Sequence, residues 1–188
     1  MAIETRLGTL PSMRSLSTFL AVVGGSVFLA LLSRFSVFVP YSLVPVTLQT
    51  FGLFILAATL GKSHAAGAVA VYLCQASIGL PVLAGGLANP LWYIAPSGGY
   101  LFAFLPAVYV AAALLERDKK RGFLWHLFSF CAAQCVIYLL GSPWLAYFVG
   151  WDRTITAGVL PFLYGAFLKI TAAACLSKPI AIVKRFLP

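Results

Sequence analysis

The sequence predicts an all-α integral membrane protein, a bundle of six transmembrane helices with cytoplasmic N- and C-termini. Three observations predict this class. Of the 188 residues, 62% are hydrophobic and only 9% are charged, whereas a soluble domain carries about 25% charged residues. The hydrophobic residues form long uncharged runs, and about 20 apolar residues suffice to span a bilayer. The Lys and Arg residues lie between these runs, as orientation signals do.

The first part of the chain predicts a helix, a loop and a second helix. Residues 15–33 form an uncharged run of the right length for one span, which places the first helix there. In the next run, Pro40 and Pro45 prevent a continuous helix. That run therefore predicts a loop or re-entrant segment at 35–45, followed by a helix at about 46–60.

The uncharged run that begins at residue 63 is too long for one span. Its segment 79–99 holds five glycines and three prolines, which predicts a loop between helices at about 64–78 and 100–115. The hydrophilic segment 116–121 ends the fourth helix. A fifth helix is predicted at 123–148, with a kink at Pro143. A sixth is predicted at 161–182, because proline is favoured at the first helical position, here Pro161. Residues 1–188 thus form a single membrane domain.

The distribution of cations supports this topology. Six spans with a cytoplasmic N-terminus leave two cations, Arg34 and Arg153, in the outer segments. Lys169 lies within the last span. The other ten fall in inner segments, and they are Arg6, Arg14, Lys62, Arg117, Lys119, Lys120, Arg121, Lys178, Lys184 and Arg185. An excess of Lys and Arg on the cytoplasmic side is the usual sign of orientation.

The outer connections predicted at 35–45, 84–99 and 150–160 are the first candidates for a binding site. Two of them are nearly free of charge and rich in Gly, Pro and aromatic residues. Irregular backbone at membrane depth is tolerated only where it is buried in protein or lines a cavity. This composition fits a ligand pocket at the outer face and, equally, loops that only cap the bundle.

Three side chains in or near the spans could serve such a pocket. Lys169 lies about 12 Å into the sixth helix by its distance from Pro161, and an ionisable residue at that depth usually marks a functional site. Gln49 follows the proline-broken loop, two residues after Thr47. Tyr100 offers a ring for stacking and a hydroxyl group, although tyrosines at this depth also belong to the interfacial aromatic belt. A lysine without a carboxylate at similar depth favours an anionic or strongly hydrogen-bond-accepting ligand.

Several functions are excluded by the sequence. The cations are dispersed between spans rather than gathered on one face, so nucleic acid is not an expected partner. No set of His, Cys and carboxylate residues has the spacing of a metal site, and no cofactor is expected. The two histidines, His64 and His126, lie at the predicted inner ends of spans, far from a nucleophile at the outer face. We therefore expect that the protein is not an enzyme and that the lipid bilayer surrounds it.

Five segments resemble the BioY family, the biotin-specific S components of energy-coupling-factor (ECF) vitamin transporters. These segments are VPVTLQTFG at 44–52, GLPVLAGG at 79–86, APSGGYL at 95–101, PWLA at 143–146 and PFLYGAFLK at 161–169. They occur in the family's order and cover the chain from about residue 14 to residue 169. The resemblance implies a six-helix, multi-pass protein of the cell (inner or plasma) membrane. It also implies high-affinity uptake of biotin, bound near the outer face and energised by a T component and a pair of ATPases.

The resemblance also assigns site residues. The family's binding positions correspond to Gln49, to the loop at 85–86, to Tyr100 and to Lys169. The family usually has an aspartate three residues before the lysine, where this chain has Ala166, so Asn89 and Ser97 are candidate replacements as hydrogen-bond acceptors. The predicted substrate-binding residues are Thr47, Gln49, Gly85, Gly86, Asn89, Ser97, Gly99, Tyr100 and Lys169. The alternatives are an S component for another small vitamin or precursor, and a non-transporting membrane interaction protein.

The first helix carries a stripe of small residues, which are Ala21, Gly25, Ser26 and Ala30. Membrane helices approach closely where small residues share one face. Together with the family resemblance, the stripe predicts the docking face for the T component. The alternative is that the stripe packs against the other helices of the same chain.

Overall fold

A computed structural model describes residues 13–37, 42–117 and 122–186 of the chain, and this part is mostly helical. The elements in chain order are α1 Met13–Ser33, β1 Ser36–Val37, β2 Val46–Thr47, α2 Gln49–Leu60, α3 Lys62–Ser77, α4 Gly98–Arg117, α5 Phe123–Val149, α6 Trp151–Arg153 and α7 Leu160–Phe186. Two 3₁₀ turns, Ala84–Gly86 and Trp92–Ile94, interrupt the connection between α3 and α4, and a π-helical turn, Thr154–Val159, joins α6 to α7.

The helices start and end close to the predicted positions, with two exceptions. The segment predicted as helix from residue 46 begins as strand β2, which pairs antiparallel with β1, and helix α2 starts only at Gln49. The segment at 150–160, predicted as an outer connection, is helical: Gly150 ends α5 with φ of 79° and the chain turns at once into α6. The connection there is therefore helical, and α7 itself begins at Leu160, one residue before the predicted start at Pro161.

The described residues contain four helical segments that are long and apolar enough to cross a membrane. These are Leu16–Ser33, Gly98–Arg117, Phe123–Val149 and Trp151–Ser177. Helices α2 and α3, with 12 and 16 residues, are shorter. At 1.5 Å per residue, α2 reaches only about 18 Å. The count of six spans therefore stays a prediction, and the predicted cytoplasmic N-terminus, at residues 1–12, lies outside the described residues.

The core lies where α3 meets α4 and where α4 runs along α5. Alanines make up much of these contacts, and the fully buried ones are Ala65, Ala68, Ala76, Ala103, Ala111 and Ala112. Small side chains allow helix backbones to approach closely. The rings of Phe54 and Phe130 stack beside them, with centroids 4.9 Å apart. Small side chains thus bring these helices together along their length. We call the end of the bundle at which α3 begins and α4 ends the closed end.

A polar cluster marks this closed end. The Lys62 Nζ lies 3.3 Å from Glu116 Oε2, and the backbone N–H of Lys62 donates a hydrogen bond to Glu116 Oε1 over 2.9 Å. The second contact satisfies a free N–H at the start of α3. The Trp125 Nε1–H donates to Leu114 O over 2.9 Å and joins α5 to α4. The remaining residues of the hydrophilic segment, 118–121, lie outside the described residues.

Two of the four small residues in the α1 stripe pack against the chain's own helices, and the predicted docking face stays a prediction. Gly25 is buried, and a Cβ added there would lie 2.8 Å from the Ala68 Cβ of α3. Ser26 is fully buried and accepts a hydrogen bond from Gln75 Nε2 over 3.1 Å. Ala21 and Ala30 are partly buried. Two of the four residues are therefore inaccessible to a partner, because α1 uses its small residues to pack against α3.

Candidate functional site

A mostly apolar cavity of about 220 Å³ opens at the end of the bundle opposite the Lys62–Glu116 pair, which we call the cavity end. Its walls come from the connection after β1, the connection between α3 and α4, and helices α2, α4, α5 and α7. The large apolar side chains in these walls include Val44, Leu83, Trp92, Leu101, Phe104, Ile137 and Phe162. Six of the predicted binding residues also line it, which are Thr47, Gln49, Asn89, Ser97, Tyr100 and Lys169.

Lys169 lies in the wall that α7 contributes. Its Nζ donates a hydrogen bond to the backbone oxygen of Thr47 over 3.1 Å, which connects α7 to β2. None of the described residues lining the cavity is an aspartate or glutamate. The charge of Lys169 is therefore balanced only by a carbonyl dipole, so the cavity favours ligands with negative charge or strong hydrogen-bond acceptors.

Gln49, at the first position of α2, is only 3% exposed. Its Oε1 accepts a hydrogen bond from the Thr47 hydroxyl over 3.1 Å, and its Nε2 donates to the Tyr72 hydroxyl. Tyr72 in turn donates to Val82 O over 3.0 Å. A continuous chain of hydrogen bonds thus joins α7, β2, α2, α3 and the connection after α3. Tyr72 was missed by the sequence analysis, since nothing distinguishes it from an ordinary aromatic residue in an apolar helix.

The connection between α3 and α4 is held by three side chains that donate to three successive carbonyls. Arg34 Nη2 donates to Pro81 O over 3.0 Å, Tyr72 to Val82 O, and Ser33 Oγ to Leu83 O over 3.1 Å. Trp92 Nε1–H donates to Ser77 Oγ over 3.0 Å, and Trp144 Nε1–H to Ala95 O over 2.9 Å. This connection is therefore a fixed wall of the cavity.

The three predicted glycines lie behind the cavity wall. Gly85 and Gly86 have φ of 69° and 79°, which favours glycine, and they shape the turn that brings Ala84 to the cavity. A Cβ at Gly86 would overlap the Arg34 guanidinium, and one at Gly99 would overlap Trp144. These glycines permit close packing and are not among the residues that line the cavity.

Asn89 and Ser97, considered as replacements for the missing carboxylate, both line the cavity. The Asn89 Oδ1 already accepts a hydrogen bond from Leu91 N over 3.0 Å. The backbone oxygen of Ser97 accepts from Tyr100 N over 3.1 Å at the start of α4. Asn89 is exposed at the rim, so it is poorly placed to serve a buried acceptor role.

Tyr100 is buried, and its ring forms part of the wall rather than an open stacking surface. Its hydroxyl donates a hydrogen bond to Gly158 O over 3.1 Å. A Cβ at Gly141 would overlap the ring, and one at Gly158 would lie 3.2 Å from the hydroxyl oxygen. Two glycines on α5 and on the π-helical turn thus create the space for this tyrosine, and sequence reasoning identified neither.

Three further polar residues line the cavity, and each has a buried oxygen without a hydrogen-bond partner in the described part of the chain: Thr50 Oγ1, Gln134 Oε1 and Tyr138 Oη. None of the three was assigned to a binding site from the sequence. A polar residue in a membrane helix usually bonds across helices, as Gln75 does to Ser26. Gln134 lines the cavity instead, and its amide oxygen has no partner among the described residues.

The cavity has the composition of a small-molecule site, mainly apolar walls with a few placed polar groups. The described residues contain no group of three or more His, Cys, Asp or Glu side chains that could hold a metal ion. Helices long enough to cross a membrane and a closed-ended cavity define the class of protein: a multi-pass membrane protein with an internal site for a small molecule.

Comparison with known proteins gives the family. The BioY family matches residues 6–186. A protein named biotin transporter BioY from Thermotoga maritima is 37% identical over 140 residues, which cover 74% of this chain and 82% of that protein. The biotin transporter BioY of Rhodobacter capsulatus is 33% identical, with 73% and 79% covered. The chain belongs to the BioY family, which confirms the resemblance found in the sequence.

A solved structure shares the fold. The crystal structure of the S component for biotin from an ECF-type ABC transporter superposes with a TM-score of 0.80 and 21% sequence identity, covering 92% of this chain and 95% of the other. This chain therefore shares the overall fold of that protein.

Proposed function

We propose that this protein is the substrate-binding S component of a biotin uptake system and binds biotin in the cavity lined by Lys169 and Gln49. The observation that carries the proposal is the cavity itself, an apolar chamber with one cation and no described carboxylate in its lining. Biotin has an apolar fused-ring body, a cyclic urea and a carboxylate tail. Such a ligand can bury its rings against Trp92 and Phe104 and place an acceptor near Lys169.

The relatives support this choice of ligand. Proteins from Thermotoga maritima and Rhodobacter capsulatus that carry the name biotin transporter match at least 73% of this chain. The motif residues that suggested the family converge on one cavity. Other family positions, such as Gly85 and Gly86, support the wall behind it. Binding is therefore expected to be a property of the isolated protein and to need no catalytic group.

We further propose a topology of six spans with both termini in the cytoplasm of the cell membrane. The spans are α1, α2, α3, α4, α5 and the helical segment that includes α7. The cavity then opens at the outer face, and the Lys62–Glu116 pair lies at the inner face. Helix α2 is short, so the irregular backbone before it lies at membrane depth. Such backbone is tolerated there because it lines the cavity. The excess of cations in inner segments supports this orientation.

The energising partners belong to the same proposal. Residues 1–188 contain no nucleotide-binding motif, and we propose that a T component and a pair of ATPases energise accumulation against a gradient. The contact surface with the T component is expected outside the Gly25–Ser26 face, since that face is buried against α3.

Biotin binding to the purified protein tests the function. Isothermal titration calorimetry in detergent should give saturable binding of one biotin per chain, and bound biotin should raise the melting temperature, because a ligand that binds only the folded state stabilises it. Thiamine and riboflavin serve as control ligands. Saturable binding of one of these with none for biotin would favour the alternative, an S component for another vitamin. No binding of any of the three would favour a non-transporting membrane protein.

A second experiment tests transport and topology. Cells that co-express the protein with a T component and an ATPase pair should accumulate labelled biotin, and a variant ATPase pair that cannot hydrolyse ATP should abolish accumulation. A fluorescent protein fused to the C-terminus should fluoresce if that end is cytoplasmic. Equal accumulation with the inactive ATPases would contradict the energised mechanism.

A further inference from the structure

Three residues that line the cavity have a buried oxygen without a hydrogen-bond partner among the described residues: Thr50 Oγ1, Gln134 Oε1 and Tyr138 Oη. A buried polar group without a hydrogen bond is unfavourable, and each such group in a folded protein calls for an explanation. Because all three line the same cavity, a ligand that supplies matching donors and acceptors would satisfy them together.

Several other polar groups of the cavity are already engaged by the chain. Gln49 Oε1 accepts from Thr47, Thr47 O accepts from Lys169, and Asn89 Oδ1 accepts from Leu91 N. The Tyr100 hydroxyl donates to Gly158 O. Of the three unpartnered oxygens, the Gln134 Oε1 is the one that can only accept, so it is the natural partner of a ligand N–H.

Ala166 is buried on α7 and lines the cavity, three residues before Lys169. Its methyl group offers no hydrogen bond. Helix α7 packs against α5, which carries Gln134 and Tyr138 four residues apart and therefore on one face.

We propose that Gln134 and Tyr138 recognise the cyclic urea of the ligand. The Gln134 Oε1 accepts a hydrogen bond from a urea N–H, and the Tyr138 hydroxyl donates to the urea carbonyl oxygen. Thr50, on the facing helix α2, is the remaining hydroxyl that can complete the contacts. This inference rests on the proposed function, because the urea belongs to biotin.

Calorimetry on purified wild-type protein and on Gln134→Met provides the test. Methionine keeps the length and unbranched shape of glutamine and removes its acceptor. The ligands are biotin and two biotin derivatives, each of which carries a methyl group on a different one of the two urea nitrogens. We expect Gln134→Met to bind biotin roughly tenfold or more weakly, since a buried urea N–H loses its partner. Methylation of the contacted nitrogen should weaken binding to wild type and have much less effect on the variant.

Gln75→Met is the matched control. Gln75 is also an intramembrane glutamine with an unpartnered Oε1, but it lies outside the cavity lining and bonds to Ser26. Gln75→Met should bind biotin with the affinity of wild type. It should also show the same difference in affinity between the two methylated derivatives. Gel filtration of each variant verifies that the fold is retained.

Tyr138→Phe is a second test variant, which removes the hydroxyl oxygen and keeps the ring. We expect it to bind biotin about fivefold more weakly. If either Gln134→Met or Tyr138→Phe, monodisperse in gel filtration, bound biotin within about twofold of wild type, the inference would be overturned while the proposed function would stand. If wild type bound no biotin, the proposed function would fail first, and this assignment with it.

Discussion

At the closed end of the bundle, alanines such as Ala65, Ala68 and Ala111 bring the helices into contact, and the Lys62–Glu116 pair covers the end. At the cavity end, the helices are held apart by loops and by side chains such as Trp92 and Phe104. Both ends are built from the same helices. The difference arises because α2 and α3, with 12 and 16 residues, leave the cavity end to irregular backbone.

The two ends also use their polar groups differently. At the closed end, the lysine pairs with a carboxylate and the backbone N–H of Lys62 is satisfied by the same Glu116. At the cavity end, Lys169 bonds only a backbone carbonyl, and three lining oxygens have no partner in the described chain. Complete pairing stabilises a fold, whereas incomplete pairing in a cavity provides the interactions that a ligand can complete.

The largest expected effect distinguishes Lys169 at the cavity end from Lys62 at the closed end. Lys169→Ala should weaken biotin binding by about 2 kcal/mol, the size of a hydrogen bond to a charged group, because the cavity loses its cation. Folding should be unaffected, since removal of a charge makes the helix easier to bury. Calorimetry on purified protein measures this, with Lys62→Ala as the control at the closed end. Equal affinity of Lys169→Ala and wild type would remove Lys169 from the site.

Next in size is a change to the packing between α1 and α3. Gly25→Leu should lower the free energy of unfolding by about 1 to 3 kcal/mol through overpacking, because even a Cβ lies 2.8 Å from Ala68. Gly24→Leu is the matched control, since nothing lies within 4 Å of a Cβ there. Thermal unfolding in detergent compares them. A stable Gly25→Leu protein that loses only energised uptake would restore the docking role of the small-residue stripe.

A smaller effect is expected from the glycine behind Tyr100. Gly141→Ala would place a methyl group against the tyrosine ring, and the ring must then move into the cavity. We expect biotin affinity to fall by about 1 kcal/mol or more. Gly165→Ala on α7 is the control, because its nearest neighbour is Val46 at 3.9 Å. Identical affinities for the two variants would show that the Tyr100 ring does not shape the site.

The smallest effect concerns the hydroxyl that links Gln49 to the fixed wall. Tyr72→Phe removes its bonds to Gln49 and Val82, and we expect a loss of stability of about 1 kcal/mol with a similar loss of affinity. Tyr147, which is 87% exposed, provides the control substitution Tyr147→Phe. A Tyr72→Phe protein as stable as this control would mean that the hydrogen-bond chain contributes little.

The sequence by itself determined the membrane class and the approximate positions of the helices, because uncharged runs and proline breaks are local features. It also identified Lys169, since a charge in an apolar run stands out without any knowledge of neighbours. The family motifs led to Gln49, Asn89, Ser97 and Tyr100, all of which line one cavity. Each of these signals is carried by a few adjacent residues.

Only the tertiary structure decided which polar side chains already have hydrogen-bond partners within the described chain and which do not. Gln75 and Gln134 look alike in the sequence, yet one bonds to α1 and the other faces the cavity. In the sequence, the small residues of α1 predict a docking face, whereas in the structure Gly25 packs against α3. Hydrogen-bond partners and helix contacts join residues far apart in the chain, as in the bond from Lys169 to Thr47. Sequence spacing along one helix does not contain that information, because it depends on how separate helices pack.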